Sequence, residues 1–372
     1  IIGYFAISCQ RIPRGREGLY VALYLLSGVS AIIGGLVGFL PSRLNFLFLF
    51  FPPESLQALS GRATEDFSEH RFGALSMAGG GVVWYCLARH GLGGTFRLSE
   101  PWHFLPFRIR GGFQVNQPWR AGLVPVAMWM TLYSGFRSMA IFTAMMFLCY
   151  FFIERLYRSR ALPFVLLAAI LSVTISLTLA SKMPVMVQRS LSFLPLDIDP
   201  DVRMGAEGST EWRLRMWQAV LPMVPQFLLV GKGYSIDPTE MEIAGGRISS
   251  DSTEAMIVSG DYHSGALTLI IPLGIWGVIG FLWFLGAGFR VLRRNYRHGD
   301  PELRRINTFL LLYFLVKTFC FFFIAGSFQV EGYIFTGLVA LSISVNGGMR
   351  GPVPVVAAKP ALNRLQLARA GR

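Results

Sequence analysis

Long apolar runs without charge, separated by short clumps of Arg and Lys, decide what this 372-residue chain can fold into. About 20 apolar residues cross the hydrocarbon core of a bilayer as a helix. Lipid offers the backbone no hydrogen-bonding partner, so each run must bond within itself, as a helix does. Such runs occupy 18–40, 72–88, 121–136, 138–153, 161–181, 264–289, 306–327 and 332–345. The chain opens at Ile1, without Met and inside an apolar stretch, so its first helices are expected to precede it. The expected fold is all-α: a polytopic integral membrane helical bundle of about eight spans. A truncated N-terminal helix precedes the spans, and a large polar loop holds a short amphipathic helix. In order, 1–181 carries N-terminal transmembrane helices and 182–263 is an outer loop. Residues 264–346 carry the C-terminal transmembrane helices, and 347–372 is a basic cytoplasmic tail. Phe-rich stretches such as Phe319–Phe323 suit contact with membrane lipids.

A net charge of +13 invites a nucleic-acid reading. The basic residues instead flank the apolar runs, where the positive-inside rule places them, so no nucleic-acid partner is expected. With Arg11, Arg14 and Arg16 on the cytoplasmic side, the alternation of spans brings the basic clusters at 89–120, 155–160, 290–305 and 350–372 to that side too. The turn at Arg137 and the loop 182–263 then face outward. Cys9, Cys86, Cys149 and Cys320 lie within or at the ends of apolar runs and read as small membrane residues. They form no Cys/His metal spacing.

Chemistry is scarce in such a chain, so the polar residues near span ends stand out. Arg137 sits in Tyr133-Ser134-Gly135-Phe136-Arg137-Ser138, between two runs each short for a span of about 30 Å. A guanidinium there either grips phosphate oxygens through its planar fork or snorkels to headgroups. Arg213 lies in Ser209-Thr210-Glu211-Trp212-Arg213-Leu214-Arg215-Met216-Trp217. Ser209 or Thr210 is expected to cap a helix there, with Arg213 and Trp217 on one face. Gly231-Lys232-Gly233 follows as a turn and lacks the spacing of a Walker loop. His263, in Asp261-Tyr262-His263-Ser264-Gly265, begins a span; it reads as a general base or as a helix cap. Asp251, Glu254 and Asp261 could orient it. Asp197, Asp199 and Asp201 alternate, but Val202 and Gly208 stand where a calcium loop needs Gly and Glu. An Asp-X-Asp metal site stays open there as a weaker reading. Lys317 falls inside an apolar run, where it could hold a phosphate or pair with Glu331.

Taken together, three of these pieces resemble the O-antigen ligase and polymerase family of membrane proteins. The first is Ser134-Gly135-Phe136-Arg137-Ser138 between two helices. The second is Arg213 four residues before Trp217, followed by Leu229-Val230-Gly231-Lys232-Gly233. The third is His263-Ser264 at a helix start, followed by Pro272-Leu273-Gly274-Ile275-Trp276-Gly277-Val278-Ile279-Gly280-Phe281. The likeness covers about 72–294. Phe136 stands where the family commonly has Ser, and Ser264 where it commonly has Asn. The resemblance implies a glycosyltransferase of the bacterial inner membrane with its active site facing the periplasm. The donor would be an undecaprenyl-diphosphate-linked glycan and the acceptor lipid A-core or another glycan. It assigns Arg137 and Arg213 to the diphosphate and His263 to the acceptor hydroxyl. Arg215, Trp217 and Lys317 are additional substrate-binding candidates. No cofactor and no metal are expected, because a lipid diphosphate is already a good leaving group. A non-catalytic transporter of a lipid-linked or anionic polysaccharide precursor is the alternative; it would place charges along a path at the bilayer midplane.

Overall fold

The computed structural model describes residues 2–36, 40–51, 72–96, 102–103, 114–115, 118–160, 162–234, 260 and 262–352. Among them the chain is helical, apart from a two-residue antiparallel pairing of Trp102–His103 with Gln114–Val115. The N-terminal region holds α1 (Ile2–Ser8), α2 (Glu17–Leu26), α3 (Ala31–Gly35) and α4 (Gly73–Thr95). Next come α5 (Pro118–Tyr133), α6 (Arg137–Ile153) and α7 (Leu162–Leu179). The loop region carries α8 (Val185–Leu191), α9 (Pro200–Val220) and α10 (Val224–Phe227). The chain returns through α11 (Gly265–His298), α12 (Arg304–Phe323) and α13 (Phe328–Asn346).

Among the described residues, five helical stretches are long and apolar enough to cross a membrane: Glu17–Gly35, Val165–Lys182, Gly265–His298, Pro301–Phe323 and Phe328–Asn346. The other three expected spans coincide with α4, α5 and α6. The expected span at 18–40 corresponds to the contiguous stretch Glu17–Gly35. A 3-10 turn at Ser27–Ser30 joins α2 to α3, which ends at Gly35. α4 runs on to Thr95, past the expected end at Ala88. It breaks at Gly91, where the Glu154 carboxylate accepts from the Leu92 and Gly93 N–H groups at 2.9 and 2.7 Å. α7 is the most exposed of the long apolar helices, a composition suited to lipid on all sides.

The core lies where α4, α6, α11, α12 and α13 meet. Trp84, Phe142 and Tyr313 meet edge-on from α4, α6 and α12, with ring centroids 5.0–5.6 Å apart. Each such pair adds roughly 0.5–1.5 kcal/mol beyond its buried area. The Phe319–Phe323 stretch does not face lipid as a whole. Phe319 and Phe323 are exposed, while Cys320 and Phe321 are buried against the bundle. A helical repeat of 3.6 residues turns one apolar run toward two environments.

The bundle has two distinct ends. At one, Asn295, Asn307 and Asn346 are buried and mutually bonded. Asn307 and Asn346 exchange amide hydrogen bonds at 2.8 and 2.9 Å, and Asn307 donates to Asn295 O at 3.1 Å. Asn295 donates to Ser342 Oγ at 3.0 Å. Arg290, Arg293, Arg294, Arg297, Arg304 and Arg305 gather at this end. At the other end, the Phe72 N–H donates to Ser134 O at 3.0 Å, which ties the start of α4 to the end of α5. There Gly265 and Gly326 pack on each other and on Phe321, leaving no room for a Cβ where α11 meets the turn after α12.

Candidate functional site

The second end gathers most of the candidate residues. Arg137 is the first residue of α6, immediately after the tight turn Ser134–Phe136. Ser134 is fully buried, and its hydroxyl donates to Thr131 O at 2.6 Å. The hairpin is thereby closed from inside, and the Arg137 guanidinium points from it toward α9. Both terminal nitrogens of Arg137 donate to Thr210 Oγ1, each at 3.4 Å.

α9 supplies the second cation. It begins at Pro200, with the Asp199 side chain accepting from the Asp201 N–H at 2.8 Å. The expected cap at Ser209 or Thr210 is therefore corrected. The cap is Asp199, ten or eleven residues earlier, because an N-cap Asp followed by Pro at the first helical position is a strong start signal. The short amphipathic helix expected there is a helix of 21 residues. Thr210 lies mid-helix, donates to Ala206 O at 3.2 Å and receives Arg137. Arg213, one turn on, lines the same cavity as Arg137.

That cavity is about 180 Å³. Its polar wall carries Arg137, Ser138, Thr210, Arg213 and a residue that sequence reasoning passed over, Arg189. Phe136, Ile141, Phe193 and Ile324 form its apolar side. No carboxylate lines it among the described residues. Arg189 belongs to α8, packed between α5 and α6. No motif marks Arg189 in the sequence; its neighbourhood comes from tertiary packing, and nothing local encodes that.

None of the other described candidates, His263 included, lines this cavity. Arg215 is exposed and forms an i,i+4 ion pair with Glu211 at 3.6 Å, away from the cavity wall. Trp217 points into a small apolar cluster with Met216, Val220, Tyr262 and Ile271. Its indole N–H donates to Tyr262 O at 2.8 Å, which fixes the residue before His263. His263 is held with φ +46°, a conformation rare outside glycine. Its ring lies 5.7 Å from that of Trp212, the residue before Arg213. So α9 meets the segment 262–263 at two places. Lys317 takes the second of the roles open to it: its ammonium is 2.6 Å from Glu331 Oε1, largely buried, and it does not line the cavity. Asp251, Glu254 and Asp261 lie outside the described residues.

The two glycine motifs meet each other. α11 is interrupted at Gly274, with φ +64° and ψ −169°. The loop after α10 lies across this break. The Lys232 and Gly233 N–H groups donate to Ile271 O and Pro272 O at 2.7 and 2.8 Å. Ile275 N–H donates in return to Leu228 O at 2.7 Å. Backbone groups freed by the break are thus satisfied by the loop, as a broken helix inside an apolar medium requires. The bonds also anchor the C-terminal side of α9 and α10 to the helix that His263 precedes.

Comparison with protein families matches residues 122–282 to the O-antigen ligase family. Neither the curated proteins nor the solved structures gave a match. The matched segment begins in α5, ends within α11 and contains every cavity-lining residue but Ile324.

Proposed function

Starting from residues 122–282 as an O-antigen ligase domain, we propose that this protein transfers a glycan from an undecaprenyl-diphosphate donor at the periplasmic face of the inner membrane. The acceptor is lipid A-core or another glycan. Glycan transfer of the ligase or polymerase type is the general activity that such a domain carries. The finer reading rests on one observation: the hairpin of α5 and α6 and the separate helix α9 bring Arg137 and Arg213 to one small cavity with no lining carboxylate among the described residues.

The chemistry needs little more. The acceptor oxygen attacks the anomeric carbon while the bond to the diphosphate oxygen breaks. Negative charge grows on that oxygen, and guanidiniums placed around it stabilise the transition state more than the ground state. His263 accepts the acceptor proton. The cavity is below the roughly 300–1,000 Å³ of a typical small-molecule pocket, so it suits an anionic head group and leaves the glycan outside. Trp212, between the His263 ring and Arg213 in the chain, couples the two halves of the site.

Purified full-length protein, supplied with a defined lipid-linked donor and an acceptor, tests this reading. Transfer should proceed in the presence of a chelator. Loss that magnesium or manganese restores would shift the charge-neutralising role to a metal ion held by Asp197, Asp199 and Asp201. Movement of lipid-linked sugar across vesicles containing the protein, without transfer, would replace the reading by transport.

A further inference from the structure

We infer that Arg189 is a third diphosphate ligand of this cavity, matched to the charge that appears as the donor bond breaks. The inference rests on the glycan-transfer reading and deepens it.

Arg189 lines the cavity together with Arg137 and Arg213, yet its side chain is far less accessible than an ordinary surface arginine, at 8 % of full exposure. A guanidinium this far from water is held in place by its surroundings, and an anion bound in the cavity adds to that hold. Its backbone is fixed from two directions. The Ser190 hydroxyl donates to Leu132 O at 2.5 Å, just before the hairpin that presents Arg137. The Gln188 side chain donates to Met183 O at 2.7 Å and accepts from the Asp199 N–H, the cap of the helix that presents Arg213, at 2.8 Å. α8 therefore joins the two elements that carry the other cations and sets Arg189 between them. This is preorganisation of a charged group before any ligand arrives.

The charge of the reaction gives the third guanidinium a purpose. A glycosyl lipid diphosphate is a diester and carries two negative charges. Cleavage of its anomeric C–O bond leaves the electron pair on the phosphate oxygen, and the departing lipid diphosphate carries three. The acceptor hydroxyl forms the new bond to the anomeric carbon and yields its proton to the base. Two guanidiniums balance the donor; three balance the leaving group. A cavity whose described lining holds three arginines and no carboxylate is complementary to the departing diphosphate rather than to the intact donor, as catalysis by differential binding demands.

The test compares Arg189→Gln and Arg189→Lys with wild type in full-length protein. It measures kcat, donor KM, and inhibition by undecaprenyl diphosphate, with folding followed by gel filtration and thermal melting. Arg189→Gln should lower kcat by about 10²-fold, as loss of one oxyanion donor does. It should weaken inhibition by undecaprenyl diphosphate at least tenfold while donor KM moves little. Lys should fall between, since it keeps the charge and loses the fork. A purely structural role would not change the ratio of product affinity to donor KM. If Gln prevents folding, the same criterion applies to Lys. A folded variant with wild-type kcat and unchanged product inhibition overturns the inference, and wild-type transfer in the same preparation keeps the broader reading intact. Should wild type transfer nothing, the broader reading fails and direct binding of undecaprenyl diphosphate decides. Weaker binding to the variant then upholds Arg189 as a diphosphate ligand, and equal binding overturns it.

Discussion

Arg137 and His263 occupy unlike backbone settings, and their variants should fail in unlike ways. Arg137 starts a helix in ordinary geometry and reaches Thr210 on another helix. Arg137→Ala and Arg213→Ala should each cost roughly 2–4 kcal/mol of transition-state stabilisation, read as the fall in kcat, with Lys rescuing only in part. His263 has φ +46°, which Asn tolerates almost as well as Gly does. His263→Asn thus removes the proton acceptor and spares the backbone. It should melt like wild type, bind donor, and lose most transfer, with some recovery at higher pH where the hydroxyl needs less help. An Asn variant that transfers at the wild-type rate would reduce His263 to a backbone role.

The helices show why the sequence was readable in part. Apolar runs fixed where helices lie, because every backbone group in lipid must bond within its own segment. They did not reveal the 3-10 segment inside Glu17–Gly35, which depends on how Ser27–Ser30 meets α4; a Cβ at Gly28 would stand 2.7 Å from Met77 O. Arg137 and His263 stood out because they border apolar runs, and Arg213 because it shares a helix face with Trp217. Arg189 did not, because only the packing of α8 gives it a site. Gly231-Lys232-Gly233 read as a turn, and the Gly-X-X-Gly pattern as a helix; their pairing across about 40 residues left no local trace. That pairing can be tested through Gly274. Its φ and ψ lie in a region that essentially only glycine enters, and a Cβ there would stand 2.8 Å from Leu229 O. Gly274→Ala should cost about 1–3 kcal/mol in strain. Its melting temperature should drop by several degrees, and protease should cut more readily near 228–233. Transfer should fall too, since the loop that anchors α9 loses its seat. An unchanged melt would mean that the break in α11 is held by something other than this loop.

On the scale of the whole molecule, the two ends of the bundle differ in charge, and that difference carries the orientation. The Asn295, Asn307 and Asn346 end gathers the arginines at 290–305, and the cavity end carries Arg137, Arg189 and Arg213 inside a walled site. Loops rich in exposed Arg stay in the cytoplasm, so the asparagine end should face inward and the cavity outward. Ser134, in the hairpin itself, is fully buried and cannot report on this. Glu211, exposed on α9, and Glu302, exposed beside the arginine cluster, can. With the four native cysteines replaced by alanine, Glu211→Cys should react with an impermeant thiol reagent added to intact spheroplasts. Glu302→Cys should react only after lysis. The reversed pattern would put the cavity in the cytoplasm, where nucleotide-activated sugars are available, and would remove the reason for a lipid-linked donor. Labelling of both residues in intact cells would mean that α11 does not separate the two compartments, so the bundle could not be a membrane-spanning unit of the kind its apolar helices require.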